Sequence, residues 1–174
     1  MMNYLIVGNG VAGTTAAEQI RKQDPQGAVT IVTDEGLPFY WRIRLNEFIA
    51  GDIDEEALIS KGRDWYEEND LRLVLETPIA EADREARVLT SDAGEAFPYD
   101  RLLLATGSHA FVPPIQGSDK KGVFTLRTAS DARAIAGCAG GVEEAVLIGG
   151  GLLGLEAGNA LRRLGKKVTV VECF

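Results

Sequence analysis

Two stretches of the chain each place the glycine fingerprint GxGxxG between an apolar run and a helix-like segment. The run Tyr4–Val7 leads into GNGVAG (residues 8–13), and Val146–Ile148 leads into GGGLLG (residues 149–154). In this context the three glycines allow a tight turn, the approach of a pyrophosphate to the backbone, and close packing of helix on strand. A strand–helix–strand crossover favours parallel strands with helices on the sheet faces. The sequence therefore predicts an α/β fold with two βαβ units.

Each fingerprint is followed by an acidic residue at the end of the next predicted strand. Asp34 lies 26 residues after Gly8, and Glu172 lies 23 residues after Gly149. A carboxylate at this place accepts hydrogen bonds from the adenosine ribose and repels a 2′-phosphate, which predicts NADH rather than NADPH at the second unit. Four basic residues near the second unit could instead capture a phosphate, although the solvated end of a helix is the favoured interpretation: Arg162, Arg163, Lys166 and Lys167. Two fingerprints with two acids predict two bound dinucleotides.

The sequence between the fingerprints predicts further strands and short helices. Leu102–Ala105 is wholly apolar, as a strand buried on both faces should be. Pro78–Ala82 and Arg87–Thr90 predict a hairpin. Helices are predicted at Leu45–Ile49, Ile53–Ile59, Arg63–Glu68 and Ser130–Gly137, the last with Ser130 or Asp131 as its cap.

The charge and the composition argue against several classes of partner. The net charge of −8 disfavours nucleic acid and anionic membranes. No apolar run approaches the roughly 18–20 residues that span a bilayer, and the N-terminus does not resemble a signal peptide. The two cysteines, Cys138 and Cys173, lie far apart, which predicts incidental thiols in a reducing cytoplasm. With His109 as the single histidine, no metal site is expected.

Beyond the fingerprints, two segments resemble one known family. RLLLATGSHAFVPPIQG (residues 101–117) is similar to the ATG segment and proline-bearing crossover of two-dinucleotide flavoproteins with the pyridine nucleotide-disulphide oxidoreductase fold. LPFYWRIRLNEFIAGD (residues 37–52) is most similar to the rubredoxin-reductase, NADH-nitrite-reductase and ferredoxin-reductase branch. The resemblance implies a Rossmann-like FAD-binding domain with an inserted β-meander at residues 1–112. A connector at 113–144 and an incomplete NAD-binding domain at 145–174 would follow.

The resemblance also assigns cofactor-binding residues. For FAD it implies the first loop, the acid at the end of the second strand, and family-like positions farther along: Gly8, Gly10, Val11, Ala12, Gly13, Asp34 or Glu35, Arg42, Ile79 or Pro78, Ala105, Thr106, Gly107 and Arg127. For NAD it implies Gly149, Gly151, Leu152, Leu153, Gly154 and Glu172. Glu156, in GLLGLEAG, resembles a helix glutamate that faces the reaction zone. No catalytic side chain is otherwise expected, because the flavin carries the chemistry.

The chain departs from the family in two ways that shape the expected reaction. The disulphide reductases carry a CxxxxC motif where this chain has RIRLNEFIAG (residues 42–51), which contains no cysteine. Ferredoxin-reductase relatives have a lysine where this chain has Glu47. The resemblance therefore implies hydride transfer from NADH to FAD and onward transfer to an external acceptor, such as rubredoxin, ferredoxin or a nitrite-reductase centre, without a redox disulphide. Family members are considerably longer, so the chain is expected to be a fragment or a shortened form.

Two other functions are compatible with parts of the sequence. One is a non-catalytic dinucleotide-binding or assembly module that forms a homo-oligomer through its incomplete sheet. The other is a plain NAD-dependent dehydrogenase, which the ATG segment and the lack of a substrate domain disfavour.

Overall fold

The computed structural model describes residues 1–172, which form two compact units. The first unit contains residues 1–40 and 59–108, and the second contains residues 41–58 together with the chain from His109 onward. Cys173, one of the two cysteines predicted to be incidental, lies outside the described residues. Among residues 1–172, no helix combines the length and the apolar character needed to cross a bilayer. The predicted domain boundaries at residues 112 and 144 follow the family resemblance and stay a prediction.

The first unit is built on a parallel four-stranded sheet in the order β3-β2-β1-β7. Its strands are β1 (Asn3–Val7), β2 (Ala28–Val32), β3 (Leu71–Val74) and β7 (Arg101–Leu104). Helix α1 (Val11–Gln23) makes the crossover from β1 to β2, and α3 (Arg63–Glu68) precedes β3. The register aligns Val7 with Val32 and with Leu104, so the carboxyl ends of the three strands meet at one edge.

A three-stranded antiparallel meander belongs to the same unit. It consists of β4 (Ile79–Asp83), β5 (Val88–Ser91) and β6 (Ala96–Pro98). The predicted hairpin is confirmed: the Asp83 carboxylate accepts from the backbone N–H groups of Glu85 and Ala86 at 2.9 and 2.8 Å, which closes the turn. The parallel sheet with an inserted meander is the fold class that the sequence predicts.

Alternation along β1 and β2 explains why these strands are largely apolar. Ile6 and Ile31 are buried in a cluster with Ala17 of α1 and Tyr66 of α3. Their neighbours Leu5 and Val32 point to the opposite face, where they pack with Leu89 and Phe97 of the meander. With helices on one face and the meander on the other, both faces of the sheet are covered, as continuous apolar strands require.

The second unit combines one βαβ unit with helical segments. Strands β8 (Glu144–Ile148) and β9 (Lys167–Val171) pair in parallel, joined through α5 (Leu152–Arg163). Helix α2 (Leu45–Ile49) and helix α4 (Ala129–Ala139) complete it, with 3₁₀ turns at Arg42–Arg44 and Glu56–Leu58.

Hydrogen bonds and ion pairs hold the segment 41–58 against the rest of the second unit. Both guanidinium NH₂ nitrogens of Arg163 donate to the Asp52 carboxylate at 2.5 Å. Arg133 of α4 forms an ion pair with Glu55. The segment therefore packs with α4 and α5 although it interrupts the first unit in sequence.

Two predictions about helices are wrong. Ile53–Ile59 is not a helix; only Glu56–Leu58 forms a 3₁₀ turn, and the Asp54 carboxylate caps this turn by accepting from Ala57 N–H at 2.9 Å. The cap of α4 is Thr128 rather than Ser130 or Asp131. Thr128 Oγ1 accepts from Asp131 N–H at 3.1 Å while Asp131 Oδ2 accepts from Thr128 N–H at 2.9 Å, which forms a capping box.

Candidate functional site

The first glycine loop connects β1 to α1 at the carboxyl edge of the sheet. Gly8 has φ +108°, a conformation that residues with a side chain rarely adopt, and its N–H donates to Val32 O at 2.8 Å. A Cβ placed on Gly8 would lie 2.1 Å from Ala105 O, and one placed on Gly13 would lie 1.9 Å from Gly8 O. Both glycines are required by backbone packing around the loop.

Among residues 1–172, no contact requires glycine at the middle position of the first loop. Gly10 has extended backbone, and a Cβ placed on it would meet no atom of the described residues within 4 Å. Within residues 1–172 no side chain caps α1 at Gly10, so the first N–H groups of the helix are available at that end. Open space above free helix N–H groups suits a pyrophosphate, because these groups and the helix dipole stabilise an anion.

A buried polar network supports this loop, and the sequence reading missed it. The Tyr66 hydroxyl donates to Asn9 Oδ1 at 2.8 Å and accepts from Phe39 N–H at 3.1 Å. Burial raises the pKa of the Tyr66 phenol above its usual value. Thr14 Oγ1 donates to Gly10 O at 2.8 Å, which fixes the first turn of α1. The network was not foreseeable because its members are far apart in sequence.

The two acidic candidates for the adenosine ribose follow β2 directly. Asp34 is exposed, whereas Glu35 is half-buried and accepts a hydrogen bond from the Tyr40 hydroxyl. The backbone N–H of Glu35 donates to Thr33 Oγ1 at 3.3 Å, which holds the turn that carries both residues. Both carboxylates stay candidates.

The ATG segment begins where β7 ends. Ala105 N–H donates to Val7 O at 2.8 Å, which continues the pairing of β1 with β7 and brings Ala105 against Gly8. Thr106 follows, and Gly107 has φ +71°. The structure therefore places this segment beside the first glycine loop.

The remaining residues assigned to FAD lie elsewhere. Ile79 begins β4 of the meander, after Pro78, whose carbonyl accepts from Asp92 N–H at 3.1 Å. Arg42 and Arg127 belong to the second unit, where Arg42 Nη1 donates to Arg127 O at 2.9 Å.

The second glycine loop repeats the geometry of the first. Gly149 also has φ +108°, and its N–H donates to Val171 O at 2.8 Å. A Cβ placed on Gly154 would lie 2.7 Å from Gly149 O, whereas one placed on Gly151 would meet no atom within 4 Å in the part of the chain that the structure describes. Leu152 and Leu153 begin α5 and are exposed. The same fit to a pyrophosphate holds here.

Two acidic side chains accompany the second loop. The Glu172 carboxylate accepts from Gly150 N–H at 2.6 Å, which places it against the loop. Glu156, one turn into α5, accepts from Asn46 Nδ2 of α2 at 3.1 Å. Within residues 1–172 no three Asp, Glu, His or Cys side chains are arranged to hold a metal ion.

Comparison with known proteins bears on these two loops. Residues 2–174 match the family described as pyridine nucleotide-disulphide oxidoreductase. The chain belongs to this family. The match covers almost the whole chain, as the motif resemblance predicts.

Members of the family that resemble the chain include reductases of several kinds. The nitrite reductase [NAD(P)H] of Bacillus subtilis (strain 168) is 40% identical over 97% of this chain and 21% of its own length. The rubredoxin-NAD(+) reductase of Ectopseudomonas oleovorans is 34% identical over 98% of this chain and 45% of its own length. The chain thus spans about a fifth to under half of these relatives. The predicted nitrite-reductase and rubredoxin-reductase branch is confirmed.

A solved structure supports the fold. The crystal structure of the NADH:rubredoxin oxidoreductase from Clostridium acetobutylicum superposes with a TM-score of 0.87 at 28% identity, covering 98% of this chain and 44% of that one. The Rossmann-like fold class predicted from the sequence is confirmed by this likeness.

Proposed function

We propose that the chain is the FAD-binding part, together with the beginning of the NAD-binding part, of a flavin-dependent NADH:acceptor oxidoreductase. The observation that carries the proposal is the repeated glycine loop, with open space over Gly10 and over Gly151 at the start of an uncapped helix. The family to which the chain belongs supports the pairing of the two loops in one reductase.

The first loop and its surroundings would hold FAD. Gly10 and the first N–H groups of α1 would bind the pyrophosphate, and Asp34 or Glu35 would accept from the adenosine ribose. The other residues proposed for FAD are Gly8, Val11, Ala12, Gly13, Arg42, Ile79, Ala105, Thr106, Gly107 and Arg127. When bound, FAD would supply the hydride-accepting and electron-donating chemistry, while the chain supplies binding and orientation.

The second loop would hold NADH. Gly151 and the N–H groups of Leu152 and Leu153 would bind the pyrophosphate at the start of α5. The Glu172 carboxylate would accept from the adenosine ribose and disfavour a 2′-phosphate. Gly149 and Gly154 would hold the loop conformation, through the hydrogen bond from Gly149 N–H to Val171 O and the close approach of Gly154 to Gly149 O. Glu156 is proposed to lie near the reaction zone.

The electron acceptor is proposed to be external. The segment 41–51 contains no cysteine, so it offers no dithiol to relay electrons as in disulphide reductases. The relatives are named for nitrite and for rubredoxin, which supports a small redox protein or a reductase centre as the acceptor. A homo-oligomer and a cytoplasmic location also stay proposals.

The visible spectrum of the purified chain tests this function. We expect flavin bands, either as purified or after reconstitution with FAD, and we expect NADH to bleach them under anaerobic conditions. A colourless chain that cannot be reconstituted with FAD would contradict the proposed FAD site. Flavin bands that NADH leaves unchanged, while dithionite bleaches them, would remove the NADH reaction for this chain and leave the FAD site standing.

A further inference from the structure

Gly150, the second residue of the GGGLLG loop, differs from the three glycines of the fingerprint in that it contacts an acidic side chain. Gly150 N–H donates to Glu172 Oε2 at 2.6 Å. A Cβ placed on Gly150 would lie 3.3 Å from the same oxygen and 3.7 Å from Cβ and Cγ of Glu172. A side chain at position 150 would therefore crowd the Glu172 carboxylate, whose oxygen would have to shift by a few tenths of an ångström to admit even a Cβ.

The backbone does not demand glycine at position 150. Unlike Gly149, Gly150 is not in the left-handed region. The corresponding residue of the first loop is Asn9, whose side chain is 9% exposed and bonded to Tyr66. The first loop therefore accommodates a side chain at the position that corresponds to Gly150. In the second loop, the group that would contact a side chain at this position is Glu172.

The basic residues that could capture a phosphate lie at the other end of the second unit. Arg162 and Arg163 end α5, about 15–18 Å along the helix from Gly151. Lys166 and Lys167 stand at the start of β9, about 16–20 Å along the strand from Glu172. Of these four basic residues and Glu172, it is therefore Glu172 that lies at the second loop.

We propose that Gly150 is a specificity-determining position, which sets the preference for NADH over NADPH by leaving room for the Glu172 carboxylate. The inference rests on the proposed function, because it assumes a nicotinamide dinucleotide at this loop. The N–H of Gly150 anchors one carboxylate oxygen through a charge-assisted hydrogen bond, so the negative charge stays where a ribose 2′-phosphate would arrive. A side chain at position 150 displaces the carboxylate and weakens this discrimination. Gly150 acts through Glu172 and is a positioning residue.

The experiment measures binding of ADP-ribose and of 2′-phospho-ADP-ribose by isothermal titration calorimetry. Gly150→Asn introduces the residue of the first loop, and Gly150→Ala introduces the smallest side chain. We expect the ratio of the two affinities to fall about tenfold in Gly150→Asn and by a smaller factor in Gly150→Ala. Gly141→Ala is the matched control, because among the described residues a Cβ there meets only Cys138 O at 3.8 Å, and it should leave the ratio unchanged.

A double-mutant cycle tests whether Gly150 acts through Glu172. Glu172→Gln removes the charge and should lower the ratio, and adding Gly150→Asn to it should then change the ratio little further. Equal weakening of both probes in Gly150→Asn, or an unchanged ratio, would overturn the role of Gly150 while the NADH site stands. A wild-type chain that binds neither probe would overturn the NADH half of the proposed function and this inference with it.

Discussion

The Tyr66 hydroxyl donates a hydrogen bond to Asn9 Oδ1 at 2.8 Å, which links helix α3 to the first glycine loop. The same hydroxyl accepts from Phe39 N–H at 3.1 Å, so it satisfies one buried acceptor and one buried donor at once. Tyr66 is 2% exposed, and water cannot take over either bond. The conformation of the loop that is proposed to bind FAD therefore depends on a residue that lies outside the loop, 57 positions away in sequence.

Replacing Tyr66 with phenylalanine should destabilise the first unit without opening a cavity. The change leaves Asn9 Oδ1 and Phe39 N–H buried without this partner, at about 1–3 kcal/mol for each group. We expect the free energy of unfolding to fall by about 2–6 kcal/mol, the sum for the two groups. Urea unfolding followed by tryptophan fluorescence, to which Trp65 beside Tyr66 contributes, measures the effect.

Tyr99→Phe is the matched control for that variant. Tyr99 lies in the same unit and packs against the meander-side cluster while only partly buried. Removing its hydroxyl should change the free energy of unfolding by no more than about 0.5 kcal/mol. Equal effects of the two substitutions would mean that the bond between Tyr66 and Asn9 contributes nothing specific.

The raised pKa of Tyr66 predicts a loss of stability at alkaline pH. Below the unfolded-state value of 10.0 the phenol is protonated in both states, and its contribution to stability is constant. As the pH rises above 10.0, the unfolded chain releases the proton while the folded chain keeps it, so stability falls until the folded pKa is reached. The slope from this one group is at most about 1.4 kcal/mol per pH unit.

Unfolding free energies of the wild type and of Tyr66→Phe, measured at several pH values from neutral to strongly alkaline, isolate this slope. The difference between the two proteins should shrink above pH 10.0, since the variant lacks the titrating phenol. A difference that stays constant across the range would show that Tyr66 ionises alike in the folded and unfolded chains.

The sequence predicts the parts of the fold that depend on local pattern. Residues 8–13 and 149–154 each identify a strand, a turn and a helix, because glycine is needed where φ is positive or where backbones touch. The apolar strands β1 and β2 are predicted because both of their faces are buried. The family could be recognised for the same reason: its motifs are local.

What the sequence does not predict depends on contacts between distant residues. The bond between Asn9 and Tyr66 joins residues 57 positions apart, and no periodicity in the chain signals it. The packing of residues 41–58 with α4 and α5 rests on pairs such as Asp52 with Arg163, whose charges read as ordinary surface residues. The hydrogen bond from Gly150 N–H to Glu172 likewise depends on the conformation of the loop, which the sequence does not give.

The capping box of α4 predicts that the hydroxyl of Thr128, and not that of Ser130, stabilises the helix. Thr128→Ala removes the acceptor for Asp131 N–H and should lower stability by about 1 kcal/mol. Ser130→Ala, at the position that the sequence pattern favours as the cap, changes an exposed hydroxyl and should be close to neutral. Thermal unfolding of both variants by circular dichroism decides the matter, and a larger loss for Ser130→Ala would contradict the assignment of Thr128.

Substitutions at Gly10 and Gly13 test FAD binding and the folding of the first loop separately. Gly13→Ala places a Cβ 1.9 Å from Gly8 O, a clash between backbones that should cost about 3 kcal/mol or more or prevent folding. Gly10→Ala places a Cβ in open space and should cost at most about 1 kcal/mol, since alanine is only a poorer cap than glycine. The same methyl group would stand where a pyrophosphate approaches, so FAD affinity in a fluorescence titration should fall at least about tenfold. A folded Gly10→Ala chain that binds FAD as tightly as the wild type would place the cofactor's phosphates elsewhere.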